Sequence, residues 1–129
     1  FMVLKKKNES IYLDDEANPL NFSKKSFLNL IKVNGYIDKE KLKGFNDALK
    51  KFSSLRSNIE EIFYIKNIGW KLIFNNKKCL YLPEKKINKV LGIYKKIIHS
   101  KIYYNEYNYF DMRILKRIYL NKKNICLNS

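Results

Sequence analysis

Glycine, alanine, proline and arginine are scarce, with 4, 2, 2 and 3 residues in a chain of 129. Four glycines leave little material for a phosphate-cradling loop, and no GxGxxG, GxxxxGKS/T, HExxH or GxSxG motif occurs. Histidine occurs once, at His99, and no CxxC pair is present. A His-centred relay and a four-ligand zinc site therefore both lack their parts. The two cysteines, Cys79 and Cys126, are compatible with one disulfide in an oxidising compartment or with two unpaired, partly buried thiols. No apolar run approaches the roughly 18 residues that span a bilayer, and no secretory signal is visible. A membrane-spanning helix within this stretch is excluded. The chain begins Phe1-Met2, as expected of a piece of a longer protein.

What is abundant is lysine. Lys, Asn, Ile, Tyr and Phe make up 74 of the 129 residues, and 24 of the 27 basic residues are Lys. These five amino acids have A/T-rich codons and the four scarce ones G/C-rich codons, so an A/T-rich genome accounts for the lysine excess. The net charge of +15 still creates a real field that suits an anionic partner. Selection for phosphate or base recognition usually recruits Arg for its bidentate fork, and only Arg56, Arg113 and Arg117 are present. A basic nucleic-acid-binding domain is thus an alternative reading. At 46% hydrophobic residues the chain is no disordered tail, and its length suits one domain, residues 1–129, that buries about two-thirds of its unfolded surface.

Along the chain, Phe1 to Leu4 and Ile11 to Leu13 read as a strand hairpin joined through the polar Lys5 to Ser10 and closed by Asp14, Asp15, Glu16, Asn18 and Pro19. Phe22 to Val33 is ambiguous, and Asn34-Gly35 is a turn signal. Asp38 then looks like a helix N-cap, with Leu42, Phe45, Leu49 and Phe52 forming one apolar stripe behind it. Ile59 to Ile68, Trp70 to Phe74 and Lys78 to Leu82 read as an antiparallel meander whose second turn, Asn75-Asn76-Lys77, relies on the tolerance of Asn for positive φ. Pro83-Glu84 is expected to open a second helix, its apolar stripe formed by Ile87, Val90, Leu91, Tyr94, Ile97 and Ile98. Lys85, Lys86, Lys89, Lys95 and Lys96 lie on its exposed side.

Two further strands are expected, Tyr107 to Ile114 and Arg117 to Leu120, followed by a frayed tail over residues 121–129. In the first strand Phe110, Met112 and Ile114 share one face and Tyr109, Asp111 and Arg113 the other. In the second, Ile118 and Leu120 point one way, Arg117 and Tyr119 the other. The fold class is α+β, a mostly antiparallel sheet with two main helices packed on one face.

Catalytic constellations are missing. Glu60-Glu61 is an adjacent pair whose side chains point to opposite faces of a strand, and His99 stands near a helix C-terminus. Gly35-Tyr36-Ile37-Asp38 faintly resembles the core of the LAGLIDADG homing endonucleases. That family, however, has a Gly soon after the acid and a helix before it. Here Lys39-Glu40-Lys41-Leu42 follows, the periodic helix comes after Asp38, and no second copy exists. A fragment of such a nuclease is the weaker alternative.

Three segments in series resemble the extracytoplasmic β domain of the bacterial cell-division protein family FtsQ/DivIB. Trp70-Lys71-Leu72, a turn at Asn75-Asn76 and Leu80-Tyr81-Leu82-Pro83-Glu84 match a W-x-L strand, a turn and a strand ending in Leu-Pro before a helix. Phe110-Asp111-Met112-Arg113 matches an apolar-Asp-apolar-Arg strand, with Ile114 to Leu120 as the closing hairpin. Ile11-Tyr12-Leu13-Asp14-Asp15 resembles the strand that opens the domain. The family's Asn-Gly turn is Asn75-Asn76-Lys77 here, and Gly69 precedes the Trp where Arg is common. The family's membrane helix and POTRA domain have no counterpart in this stretch.

The resemblance implies a non-catalytic, cofactor-free and metal-free scaffold of the division septum. It would be anchored in the bacterial inner membrane, with this domain on the periplasmic side. It would bind the bitopic partners FtsB and FtsL by strand addition at its last strand. The family's partner-binding Arg falls on Arg113 and the neighbouring hot-spot Tyr on Ile114. With the outward set from the strand pattern, the expected partner-binding residues are Tyr109, Asp111, Arg113, Ile114, Arg117 and Tyr119. The bland alternative for Asp111 and Arg113 is a cross-strand ion pair, and for the lysine face of the second helix simple solvation or contact with an anionic membrane surface.

Overall fold

The computed structural model describes residues 2–6, 9–13, 19–20, 31–34, 37–114 and 116–123, with side chains from residue 31 onward except at 102 and 103. The strands are β1 (Met2–Lys6), β2 (Glu9–Leu13), β3 (Pro19–Leu20), β4 (Ile31–Asn34), β5 (Ile59–Ile65), β6 (Gly69–Phe74), β7 (Cys79–Leu82), β8 (Tyr109–Asp111) and β9 (Tyr119–Asn121). The helices are α1 (Lys39–Lys50), α2 (Ser53–Arg56), α3 (Ile87–His99) and α4 (Lys101–Glu106). The nine described strands form one sheet in the order β3-β2-β1-β4-β5-β6-β7-β8-β9.

The sheet is mixed, which corrects the expectation of a mostly antiparallel one. The hairpin β1–β2 and the meander β5–β6–β7 are antiparallel as read from sequence. But β1–β4, β4–β5 and β7–β8 are parallel. The reason is topological. Parallel neighbours need a crossover, and α1–α2 lies between β4 and β5 as α3–α4 lies between β7 and β8.

Asp38 caps α1 as expected, its carboxylate accepting from the Lys41 amide at 2.7 Å. The stripe Leu42, Phe45 and Leu49 is buried, but the helix ends at Lys50, and Phe52 instead caps the short α2. The Phe45 ring stacks on Trp70 at 3.9 Å, and Tyr94 of α3 packs on Phe74 and Phe110. Both main helices therefore cover one face of the sheet. That core face runs Val33, Ile62, Leu72, Leu80 and Phe110 across neighbouring strands, all fully buried.

Three local expectations fail for identifiable reasons. The second helix does not start at Pro83-Glu84 but at Ile87, after Lys86 in a left-handed conformation (φ 61°). Glu84 is engaged elsewhere, accepting from the Tyr64 hydroxyl and the Lys41 ammonium. At the Asn75-Asn76-Lys77 turn, Lys77 rather than an Asn takes the positive φ of 71°, while Asn76 Oδ1 accepts from the Lys78 amide. The strand expected over Tyr107 to Ile114 shrinks to β8, and residues before it form α4.

Lys78 holds that crossover in place. Its buried ammonium donates to the carbonyls of Tyr104 and Tyr107 and to Asn108 Oδ1, at 2.8, 2.5 and 3.1 Å, tying the end of α4 to the start of β8. Burial pulls its pKa below the usual lysine value. Cys79, beside it, is disulfide-bonded, which removes the unpaired-thiol alternative at that position. Cys126, the segment 22–30, the Gly35 turn position and residues 124–129 of the expected frayed tail lie outside the described residues, whereas Asn121 belongs to β9.

Candidate partner-docking edge

The last strand of the sheet order is β9, which pairs on one side with β8 through Tyr109↔Asn121, Phe110↔Leu120 and Asp111↔Tyr119. Its other side has no described neighbour. The registers place Tyr81, Asp111 and Tyr119 on one row of the face away from the helices, and Cys79, Tyr109 and Asn121 on the next. The outward grouping of Tyr109, Asp111 and Tyr119 thus matches the strand reading.

Asp111 is the hub of this face and is itself only 8% exposed. It accepts from Arg113 three times, from Nε at 2.9 Å, Nη2 at 2.5 Å and the backbone amide at 3.2 Å, and from the Tyr109 hydroxyl at 3.3 Å. Burial opposes ionisation of the carboxyl, but the Arg113 hydrogen bonds and charge outweigh it and hold the pKa below the usual Asp value. The same pairing raises the pKa of Arg113. Tyr109 is pushed up by burial and by the Asp111 charge.

The Arg113 guanidinium also lies over the Tyr81 ring at 4.3 Å, and Tyr81 meets Tyr109 edge-on. Asp111 and Tyr81 therefore aim Arg113 from below and behind, leaving about a third of its side chain (34%) in solvent. Tyr81 was not singled out from sequence. The signal was its place between Leu80 and Leu82, which turns it to the opposite face, but only the β7–β8 register puts it under Arg113.

Ile114 departs from the strand reading. β8 ends at Asp111, so Ile114 does not join Phe110 and Met112 in the core but is 54% exposed. Arg117 lies in the β8–β9 connection, its amide donating to the Ile114 carbonyl at 3.0 Å. Ile114, Ile118, Tyr119 and Leu120 form an exposed apolar group at this edge. Beside it is a cleft of about 140 Å³ with Val90, Ile93 and Met112 at its base, Ile114 and Ile118 on its walls, and Lys116 and Arg117 at its rim. Ile93, Lys116 and Ile118 were not anticipated as part of a site.

Among the described residues no group of three or more His, Cys, Asp or Glu could hold a metal ion, and no helix is long and apolar enough to cross a membrane. The model of the family described as cell division protein FtsQ/DivIB, C-terminal, matches residues 2–113. The chain belongs to that family. No curated protein matched the chain in sequence. The FtsQ/DivIB match covers the hairpin β1–β2, the meander, α3 and β8, and ends at Arg113, two residues into the β8–β9 connection. FtsQ/DivIB domains belong to cell-division proteins that act as scaffolds in division complexes.

Proposed function

We propose that this domain docks the extracytoplasmic ends of FtsB-like and FtsL-like division proteins by adding a partner strand beside β9. The observation that carries the reading is the coincidence, at one end of the sheet, of a strand edge with no neighbour among the described residues, an exposed apolar group and two of the chain's three arginines. A strand edge supplies main-chain bonds to any extended peptide, but three residues supply few of them. Side chains must add the rest. An apolar partner residue fits the cleft beside Ile114 and Ile118, and a partner carboxylate fits the exposed side of Arg113 or Arg117.

In this reading Tyr109, Arg113, Ile114, Arg117 and Tyr119 contact the partner, and Asp111 acts through Arg113. The 129 residues act as one non-catalytic domain on the periplasmic side of the inner membrane. The bonded Cys79 supports an oxidising compartment. The exposed Lys85 and Lys86 just before α3, with Lys89, Lys95 and Lys96 along it, suit a neighbouring anionic membrane surface.

The test is an NMR titration of the labelled chain with a peptide copying the extracytoplasmic end of an FtsB-like protein from the same genome. Shifts should concentrate in residues 109–123, with newly protected amides in β9. Ile114→Glu, at an exposed position, should abolish them without unfolding the chain, and Arg113→Glu should weaken them. A folded domain that shows no shifts at about 1 mM peptide overturns the proposal.

A further inference from the structure

The turn between β5 and β6 carries an apolar residue where turn chemistry favours a polar one. Ile68 is 46% exposed, and the turn that presents it is tight. Its amide donates to the Ile65 carbonyl at 3.0 Å, and Asn67 takes a positive φ of 66°. A hydrogen-bonded backbone, not a loose loop, therefore holds this side chain in solvent.

Two contacts bring the start of α3 beside the turn. Gly69 packs so closely on the end of β7 that a Cβ there would meet the Leu82 carbonyl oxygen at 2.0 Å and the Pro83 carbonyl carbon at 3.2 Å. Glu84 accepts from the Asn67 backbone amide as well as from Tyr64 and Lys41. Lys85 and Lys86 follow Glu84 directly, within about 7 Å along the chain, and Lys66 precedes Asn67. All three lysines are exposed, and among the described residues none of them has an ion pair. Codon composition explains how many lysines the chain has. It does not explain why these three lack an acid while Lys41, Lys77, Arg113 and Lys122 each have one. The first turn of α3 has no acidic residue either, so the positive end of the helix dipole adds to the same field.

We propose that this turn is the domain's contact with an anionic bilayer. Ile68 seats in the interfacial layer, and Lys66, Lys85 and Lys86 meet headgroup phosphates. The contact rests on the neighbouring membrane invoked above and narrows it from the lysines of α3 to one end of the sheet. A soluble polyanion would satisfy the lysines but offers nothing to the isoleucine, whereas a bilayer interface accepts both. Because β7 and β8 are parallel, α3 runs from this end back toward the other. Lys95 and Lys96 stand eight and nine residues beyond Ile87 (95 − 87 and 96 − 87), about 12–14 Å along the helix. That exceeds the screening length of about 8 Å at physiological salt, so they add little to a contact made at the turn.

The test is flotation of the full chain with vesicles of phosphatidylcholine alone and of phosphatidylcholine mixed with phosphatidylglycerol. The chain should float only with the anionic vesicles, and less as salt rises. Ile68→Ser should weaken the binding about tenfold, and Lys85→Gln with Lys86→Gln about 25-fold. Lys95→Gln with Lys96→Gln should change it less than about twofold. Ile68→Trp should still float, and its added tryptophan emission should move to shorter wavelength and be quenched by brominated acyl chains.

Flotation that survives the substitutions at Ile68, Lys85 and Lys86 but is lost with those at Lys95 and Lys96 overturns the turn contact and leaves the broader α3 surface standing. No flotation with anionic vesicles overturns both. Equal flotation with neutral vesicles overturns the turn contact, as does an Ile68→Trp emission that stays unshifted, the result expected where phosphate alone is bound. None of these outcomes bears on strand docking at β9, which the peptide titration reads separately.

Discussion

Replacing Asp111 with Asn isolates the contribution of the carboxylate charge to the proposed docking face. The substitution keeps the shape and one acceptor oxygen, so the Arg113 amide can still be satisfied, but the guanidinium loses its counter-charge. Hydrogen bonds to a charged group are worth about 1.5–3 kcal/mol, and exposed ion pairs about 0.2–1 kcal/mol. The Asp111 side chain is 11% exposed and that of Arg113 34%, so the pair falls between these regimes and solvent screening discounts the larger figure. A loss of about 1.5 kcal/mol at neutral pH follows, or about 3–6 °C in Tm for a domain of this size.

The pH dependence carries the sharper test. Asp111 titrates below its unfolded value of 3.8 when folded, so the stability it contributes is complete above about pH 4 and is lost as pH falls through the folded-state pKa. Thermal melts followed by circular dichroism at pH 7 and near pH 2 should therefore show a gap between native chain and D111N that closes in acid. Equal melting at pH 7, or a gap that persists at about pH 2, would refute the reasoning.

Three further substitutions probe the scaffold beneath the site. Gly69→Ala should cost more than about 2 kcal/mol in chemical denaturation, because Gly69 has φ +139° and a Cβ there would meet the Leu82 carbonyl oxygen at 2.0 Å. Phe45→Ala should cost about 3–5 kcal/mol and shift the Trp70 fluorescence, since it empties the ring position stacked at 3.9 Å on the indole. Asp38→Ala removes the α1 cap and should lower stability by about 1 kcal/mol. The same variant tests the nuclease alternative, which requires a metal-dependent cleavage by the native chain that Asp38→Ala abolishes.

Much of this organisation is legible locally. Asp38 followed by the Leu42, Phe45 and Leu49 stripe specifies α1 because a cap and a 3.6-residue period are properties of a single segment. The meander of β5, β6 and β7 is legible for the same reason, with short turns forcing antiparallel neighbours. The alternation of Tyr109 and Asp111 with Phe110 assigns faces correctly. Trp70 is core, sharing the helix-covered face of β6 with Leu72 and Phe74.

Periodicity names a face, however, and not a neighbour. The parallel β4–β5 and β7–β8 pairs depend on where a crossover of helices lands, which no local pattern encodes. The landing of β8 beside β7 puts Tyr81 under Arg113, and with it the burial of Asp111 that turns an expected contact residue into a holder. Glu84 reads as a helix opener until Tyr64 and Lys41, brought to it from β5 and α1, offer hydrogen bonds that a first helical turn does not. Ile114 reads as core until β8 stops three residues earlier and leaves it exposed, lining the cleft. Segment identity was set by short-range spacing. The proposed docking edge was set by strand register, because its residues come from four separate segments that meet only once the sheet is assembled.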